Sequence, residues 1–440
     1  MKAQYYKLIL VMLFISGILY GSEVNVIELN WNDVADFARY DNLSLKMTDF
    51  DYKTADAEVK KAWGGFLPTL DYQWLWSDDE LTQAQMFEPV DNMFMHSLNL
   101  SYPLFTGGAR YANLRMQQHL KKSLAAELKG AESEVVLQSL QAYYGVILAG
   151  SLVEVYQEAM ELAERNLRQV ESFKQVGTAT ELAVMQARTR YFETIPQLES
   201  ARNQQKLAEN QLKMLLNITS KDSILIKETL SEHKFLGSYA KLQVEEYKSL
   251  ARDNRAELEQ IKSQNKAVGQ QKLLASSQFM PQIVLTASRN FYAYNDDWWI
   301  NNDEFEAFNS VGLVVQMPLF NGGSRWYNVK QAGYAKKKMA LALDLTINQV
   351  ELEAEQAYYN YIDARDNLKS QEEALTTSEE SLRLANLYFE EGMVTQTEVL
   401  NAQLSYTRNK VALTSGIFNY NTSQLALLQA IGELSSIWNK

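Results

Sequence analysis

Cysteine is absent from this chain. Disulfides, thiol chemistry and lipid attachment to an N-terminal cysteine are thereby excluded. Proline is scarce at 6 residues, and four of these fall in matched pairs, Pro68 with Pro281 and Pro103 with Pro318. The three histidines, His96, His119 and His233, lie far apart. The run Met93 to His96 reads as a loop entering a strand and not as a metal ligand set, so no metal site is expected. Basic charge is also short: the net charge is -12, with no basic stripe, which argues against nucleic acid as a partner. No nucleophile–base pairing, P-loop or dinucleotide fingerprint occurs, so neither enzyme nor cofactor is expected.

Hydrophobic runs are short too. The stretch "MKAQYYKLILVMLFISGILYGS" carries Lys2 and Lys7, an apolar segment from Leu8 to Tyr20, then Gly21 and Ser22. It reads as a signal peptide over residues 1–22, too short for a spanning helix. No run of about 18 apolar residues follows, which speaks against helical membrane spans. The chain is read as exported.

What the chain has in quantity is repetition. "PLFTGG" (Pro103 to Gly108) returns as "PLFNGG" (Pro318 to Gly323), 215 residues on, with Arg110 and Arg325 two residues downstream. Tyr143-Tyr144 returns as Tyr358-Tyr359 and Gly177 as Gly392, at the same separation. "FLP" (Phe66 to Pro68) returns as "FMP" (Phe279 to Pro281), 213 on. Two copies of one long unit are therefore expected: a first repeat over 23–218, an inter-repeat segment over 219–244, a second repeat over 245–434 and a tail over 435–440.

Each copy opens with an amphipathic helical stretch, Trp31 to Trp63 and Glu245 to Gln278, which ends before its proline. Alternation follows. Leu70, Tyr72, Trp74 and Trp76 share one face while Asp71 and Gln73 take the other; Leu98, Leu100 and Tyr102 oppose Ser97, Asn99 and Ser101. Period two with unlike sides predicts strands. Each repeat thus carries a β-hairpin, over about 68–105 and 281–320, whose loop is acidic.

After each "GG" the period becomes helical, giving long helical hairpins over about 108–216 and 323–430. Ile347, Ala354, Tyr361, Leu368, Leu375, Leu382 and Phe389 recur every seventh residue, with Val350, Ala357, Ala364, Ser378 and Ala385 offset by three. That is a coiled-coil seam, and the first repeat shows it as Val146, Val153, Met160 and Leu167 with Val135, Ala142, Ala149, Tyr156, Ala163 and Val170. The helix from Gly108 to Gly177 would be about 100 Å long at 1.5 Å per residue. Helices return after Gly177 and Gly392, and Pro196 should kink the first of them.

Four strands with one apolar face cannot stand alone in lipid, because open edges leave backbone groups unpaired. Two copies would close eight strands around a filled interior. Three copies close twelve, the first count that leaves a lumen. Tyr72, Trp74, Trp76, Tyr102, Phe105, Trp298, Trp299, Trp326 and Tyr327 near the strand ends suit an interfacial belt; a soluble sandwich core is the competing reading.

The paired "PLFTGGAR" and "PLFNGGSR", the "LP" or "MP" before each first strand, and "VGTATELAVMQA" with "GMVTQTEVLNAQ" resemble the outer-membrane efflux protein family, the TolC-like channels. The resemblance runs from about Ile27 to Gly432. It implies a mainly α fold with a small β part: a duplicated helix-strand-strand-long helix-turn-helix repeat. It further implies a homotrimer forming a 12-stranded outer-membrane β-barrel on a long periplasmic α-helical barrel. Such a trimer is the passive exit duct of a tripartite efflux or secretion system. Its expected partners are outer-membrane lipid, a periplasmic adaptor (a membrane fusion protein) and an inner-membrane transporter, in the outer membrane of a Gram-negative bacterium.

Residues follow position by position. The strand-to-helix corners are Pro103, Gly107, Gly108, Pro318, Gly322 and Gly323. The far tips, implied to meet the adaptor, are Gly177, Thr180, Glu181, Leu182, Gly392, Thr395, Thr397, Val399 and Leu400; a glycine C-cap is the plainer reading. Glu398 matches an acidic position of the family's pore constriction, with Tyr388 near a gate tyrosine's place and Asn401 where a second acid would stand. Val394 replaces a latching arginine. A solvated Glu398 is the alternative, and for the whole chain a secreted periplasmic coiled-coil scaffold or adaptor.

Overall fold

The computed structural model describes residues 26–78, 92–219, 221–295 and 305–437. The signal stretch, Trp298, Trp299 and most of both acidic loops lie outside the described residues. The chain forms two compact units, which cut across the sequence repeats: each takes matched pieces from both copies.

One unit comprises Met47–Gly130 and Arg255–Gln349 and holds the sheet. Four strands, β2 (Thr69–Asp78), β3 (Asn92–Thr106), β5 (Gln282–Asn295) and β6 (Glu306–Gln316), pair antiparallel in the order β2-β3-β5-β6. The two hairpins thus join into one sheet through β3 and β5. These strands reach 10 to 15 residues, enough to cross a bilayer, which takes about 9–11 tilted residues. β6 stops at Gln316 and does not reach the expected 320. β3 instead runs through Pro103 by way of a bulge between Pro103 and Phe105, where a missing N–H is tolerated.

The register puts unlike chemistry on the two faces. Leu70–Leu100–Ala287–Val311 form one cross-strand row, with Leu285–Leu313 below it and Trp74–His96–Phe291 above. On the other face Asp71–Asn99–Ser288–Ser310 form a row, in which the Ser288 and Ser310 hydroxyls lie 2.8 Å apart. Leu70, Tyr72, Val311 and Leu313 are all exposed in the single chain. His96 is occupied by a 2.5 Å hydrogen bond with the Tyr72 hydroxyl.

Each corner is built the same way. Gly107, Gly108, Gly322 and Gly323 all have positive φ, from 63° to 86°, which glycine alone adopts without a Cβ penalty. Arg110 then donates to the Gly65 carbonyl and stacks on Phe66 at 5.1 Å, while Arg325 donates to the Gln278 carbonyl and stacks on Phe279 at 5.1 Å. The repeated arginine pins the segment that enters each repeat's first strand. Trp326 and Tyr327 sit exposed at the start of a helix and not on a strand.

The helices belong to both copies in register: α3 (Ala109–Gln175) and α7 (Ser324–Glu390) have 67 residues each, α4 (Glu181–Leu215) and α8 (Gln396–Ala430) 35 each. α4 is continuous through Pro196. It closes at Asn217, whose φ of 54° is one that Asn tolerates. The two entry helices are each broken once, contrary to the continuous stretches expected: α1 (Trp31–Asp41) from α2 (Leu43–Gly64), and α5 (Val244–Asn254) from α6 (Ala256–Ser277). Asn42 makes the first break by accepting from the Leu45 N–H and donating to the Leu215 carbonyl.

The other unit, the chain up to Lys46, Ala131–Asn254 and from Val350 onward, holds the main core. Tyr143, Tyr144, Leu140, Leu212, Leu425 and Leu428 pack there with Leu29 and Val34; each such buried side chain contributes roughly 1.5–3 kcal/mol. On the seam, Val350, Ala354, Tyr361, Leu368 and Leu382 are buried. A stretch of α3 is apolar and long enough to cross a membrane, contrary to the expectation of none; more than half of it is buried within the molecule, as in a core helix.

The inter-repeat segment is more ordered than its irregular sequence predicts. β1 (Val26–Glu28) and β4 (Ser223–Leu225) pair in parallel. Asn421 and Gln424 of α8 bond the backbone at Ser231, His233 and Leu236. His233 stacks on Phe235 at 5.1 Å and lies 3.0 Å from Glu228, which accepts the Tyr143 hydroxyl. Burial, then the Glu228 hydrogen bond, push the Tyr143 phenol far above its ordinary pKa.

Candidate functional site

The two hairpin tips are near-copies. Gly177 (φ 83°) follows α3 and Gly392 (φ 72°) follows α7. Gly177 N–H donates to Lys174 O and Thr178 N–H to Phe173 O; Gly392 N–H donates to Phe389 O and Met393 N–H to Tyr388 O. Both are Schellman closures, which satisfy the last helix carbonyls. The return helices then start on threonine caps, Thr180 accepting from the Ala183 N–H and Thr395 from the Glu398 N–H.

The tips differ in what the first turn does. In α8, Glu398 completes a capping box, accepting from the Thr395 N–H at 2.6 Å and from its hydroxyl at 3.1 Å. In α4 that position is Ala183, and Glu181 instead pairs with Lys174. Glu398 therefore has a structural duty as well as an exposed carboxylate.

Tyr388, Glu398 and Asn401, ten or more residues apart at the extremes, line one groove of about 650 Å³ with Val394, Glu380 and Ser405. A second groove of about 750 Å³ lies between the tips and brings together Thr180, Leu182, Gly392, Thr395 and Thr397 with Phe173 and Phe389. Gly177 and Glu181 are exposed beside it, and Leu400 is half-buried. Val399 is fully buried, so it packs the hairpin and offers no outer surface.

Sequence reasoning missed the bonds that tie α8 to α3. Tyr406 donates to Glu158 at 2.9 Å, Lys410 pairs with the same carboxylate, and Gln396 donates to Asn166 at 2.5 Å. Burial alone would raise the Glu158 carboxyl, but the hydrogen bonds from Lys410 and Tyr406 outweigh it and hold the carboxyl below its ordinary range. Lys410 is correspondingly raised: burial opposes its charge and the Glu158 bond prevails. No local signal marked these residues: Glu158 and Asn166 fall between the heptad positions, and Gln396, Tyr406 and Lys410 lie beyond the seam that ends at Phe389.

The family profile described as outer membrane efflux protein matches residues 35–217 and 248–433, one match per repeat. The chain belongs to the outer membrane efflux protein family. Its place is the outer membrane. It is 25% identical over 357 residues to the outer membrane protein TolC of Vibrio cholerae, covering 77% of this chain and 76% of that one. To TolC of Escherichia coli it is 23% identical over 411 residues, covering 90% and 81%. Its fold superposes on the outer membrane channel CmeC of Campylobacter jejuni with a TM-score of 0.80 at 19% identity, over 92% of this chain and 86% of that one.

Proposed function

We propose that this family member is a passive exit duct, three copies closing twelve strands into a lipid-embedded barrel. It works beside an inner-membrane transporter and a periplasmic adaptor that docks at the tips carrying Thr180, Leu182, Thr395 and Thr397. It performs no chemistry, and its partner supplies the energy. The observation that carries this reading is the sheet: strands long enough to span, one apolar face, and outer edges of β2 and β6 without partners among the described residues. In lipid such edges must be satisfied by closure. An adaptor would carry a single helical hairpin, whereas this chain has two of equal length.

Opening, on this reading, loosens the return helices at the tips, and the Tyr388–Glu398–Asn401 groove forms the narrow mouth. Three Glu398 carboxylates would favour cations there. The test is single-channel conductance of the purified protein in planar bilayers. Stepwise cation-selective currents are expected, with selectivity reduced in Glu398→Gln; unchanged selectivity removes Glu398 from the mouth, and absence of conductance removes the duct.

A further inference from the structure

One junction between the two repeats lies inside the chain, where it can be read residue by residue. We infer that the same junction recurs between this chain and a second copy of it, with a fixed strand register and a specific helix-to-helix bond. This deepens the duct reading and depends on it.

Inside the sheet, Leu100 of β3 faces Ala287 of β5, and Leu98 faces Arg289. The repeat offset of 215 carries Leu100 and Leu98 to Val315 and Leu313 on β6, and the offset of 213 carries Ala287 and Arg289 back to Trp74 and Trp76 on β2. β6 and β2 are the two edge strands. Val315 therefore lies opposite Trp74 of the partner subunit, and Leu313 opposite Trp76 of the partner subunit. Both pairs fall on the apolar face, as they must, since a one-residue slip would send every side chain to the wrong side.

The corners carry the same message. A Cβ on Gly107 would stand 2.5 Å from Met280 Cβ and 2.8 Å from the Ser277 carbonyl. Gly322 is the matching glycine with nearly the same φ, yet nothing lies within 4 Å of its Cβ position. The residues that match Met280 and Ser277 are Leu67 and Gly64, and Leu67 is exposed. Leu67 of the partner subunit fills the seat over Gly322.

The helices repeat it independently. Tyr406 bonds Glu158 within the chain. Moving each by 215 in the appropriate sense gives Tyr191 and Glu373, the same two residue types. Neither side chain has a hydrogen bond or ion pair among the described residues, and Glu373 is exposed. Glu373 accordingly accepts from Tyr191 of the partner subunit. The neighbouring cation is not repeated, because Ile195 stands where Lys410 would be matched, so this bond is the weaker of the two. The Asn166–Gln396 bond is not repeated either, its counterparts being Ser381 and Glu181.

The chain has no cysteine, so paired substitutions introduce the only thiols. Oxidising Val315→Cys with Trp74→Cys, or Leu313→Cys with Trp76→Cys, should link chains covalently into a trimer on a denaturing gel, since directly opposed residues lie within disulfide reach. Val311→Cys with Trp74→Cys, displaced by four positions, should not link. Linking of the displaced pair, or of neither matched pair in a particle that is still trimeric and conducting, overturns the register. A particle that is never trimeric overturns the duct reading itself and this proposal with it. In the trimer, Glu373→Gln and Tyr191→Phe should each speed dissociation about two- to ten-fold, and together no more than singly. Additive effects of that pair overturn the helix bond.

Discussion

The bond network joining α8 to α3 makes the sharpest prediction. Replacing Glu158 by Ala removes the acceptor shared by Tyr406 and Lys410. Charge-assisted hydrogen bonds of this kind contribute about 1.5–3 kcal/mol when dry. Here the Lys410 and Glu158 side chains are 31% and 37% exposed, so water screening brings the link to about 1 kcal/mol per chain. If three chains open together, the loss sums to about 3 kcal/mol, or roughly a hundred-fold in the opening equilibrium. The assay is open probability in planar bilayers, with Tyr406→Phe as a partial version. Acidity should act on the same bond. A carboxyl held below its ordinary range stabilises the closed form above that range and ceases to do so as pH falls through its lowered pKa. Wild-type opening should therefore rise only once pH falls below the ordinary glutamate range, and Glu158→Gln should flatten that rise. Unchanged open probability in both Glu158→Ala and Tyr406→Phe would refute the idea that this link restrains the return helix.

Substitutions at three other places probe the rest of the chain. Gly107→Ala should abolish stable assembly, because it adds a Cβ 2.5 Å from Met280 to a left-handed residue that alone costs about 1–2 kcal/mol; Gly108→Ala, with open space around it, should show the smaller thermal shift. Thr395→Ala should cost about 1 kcal/mol and speed amide exchange in the first turn of α8, whereas Thr180→Ala, outside any capping box, should do less. Tyr143→Phe should lower thermal stability by about 1 kcal/mol through loss of its 2.6 Å bond to Glu228, with conductance unchanged.

Repetition made much of this molecule legible. The heptads ending at Phe389 and the double glycines were enough to place the long helices, because both signals are local and period-specific. Alternation in "PTLDYQWLW" found the strand faces for the same reason. Its blind spots were contacts without local signature. The β1–β4 pairing joins segments nearly two hundred residues apart in three-residue strands. The break at Asn42 depends on a carbonyl of Leu215. At the candidate site, the resemblance brought Tyr388, Glu398 and Asn401 forward, and they do share a groove. Three features depend on the folded arrangement: Glu398 engaged in its own helix cap, Val399 turned inward, and Glu158 anchoring α8.

The most direct test of the account is the mass of the purified particle in detergent, with its solubility once detergent is removed. A protein–detergent complex containing three 50.3 kDa chains, less any cleaved leader, that precipitates without detergent is the predicted result. A single chain that stays freely dissolved in buffer would contradict it, because four strands with bare edges and an apolar face would then have been stable in water alone.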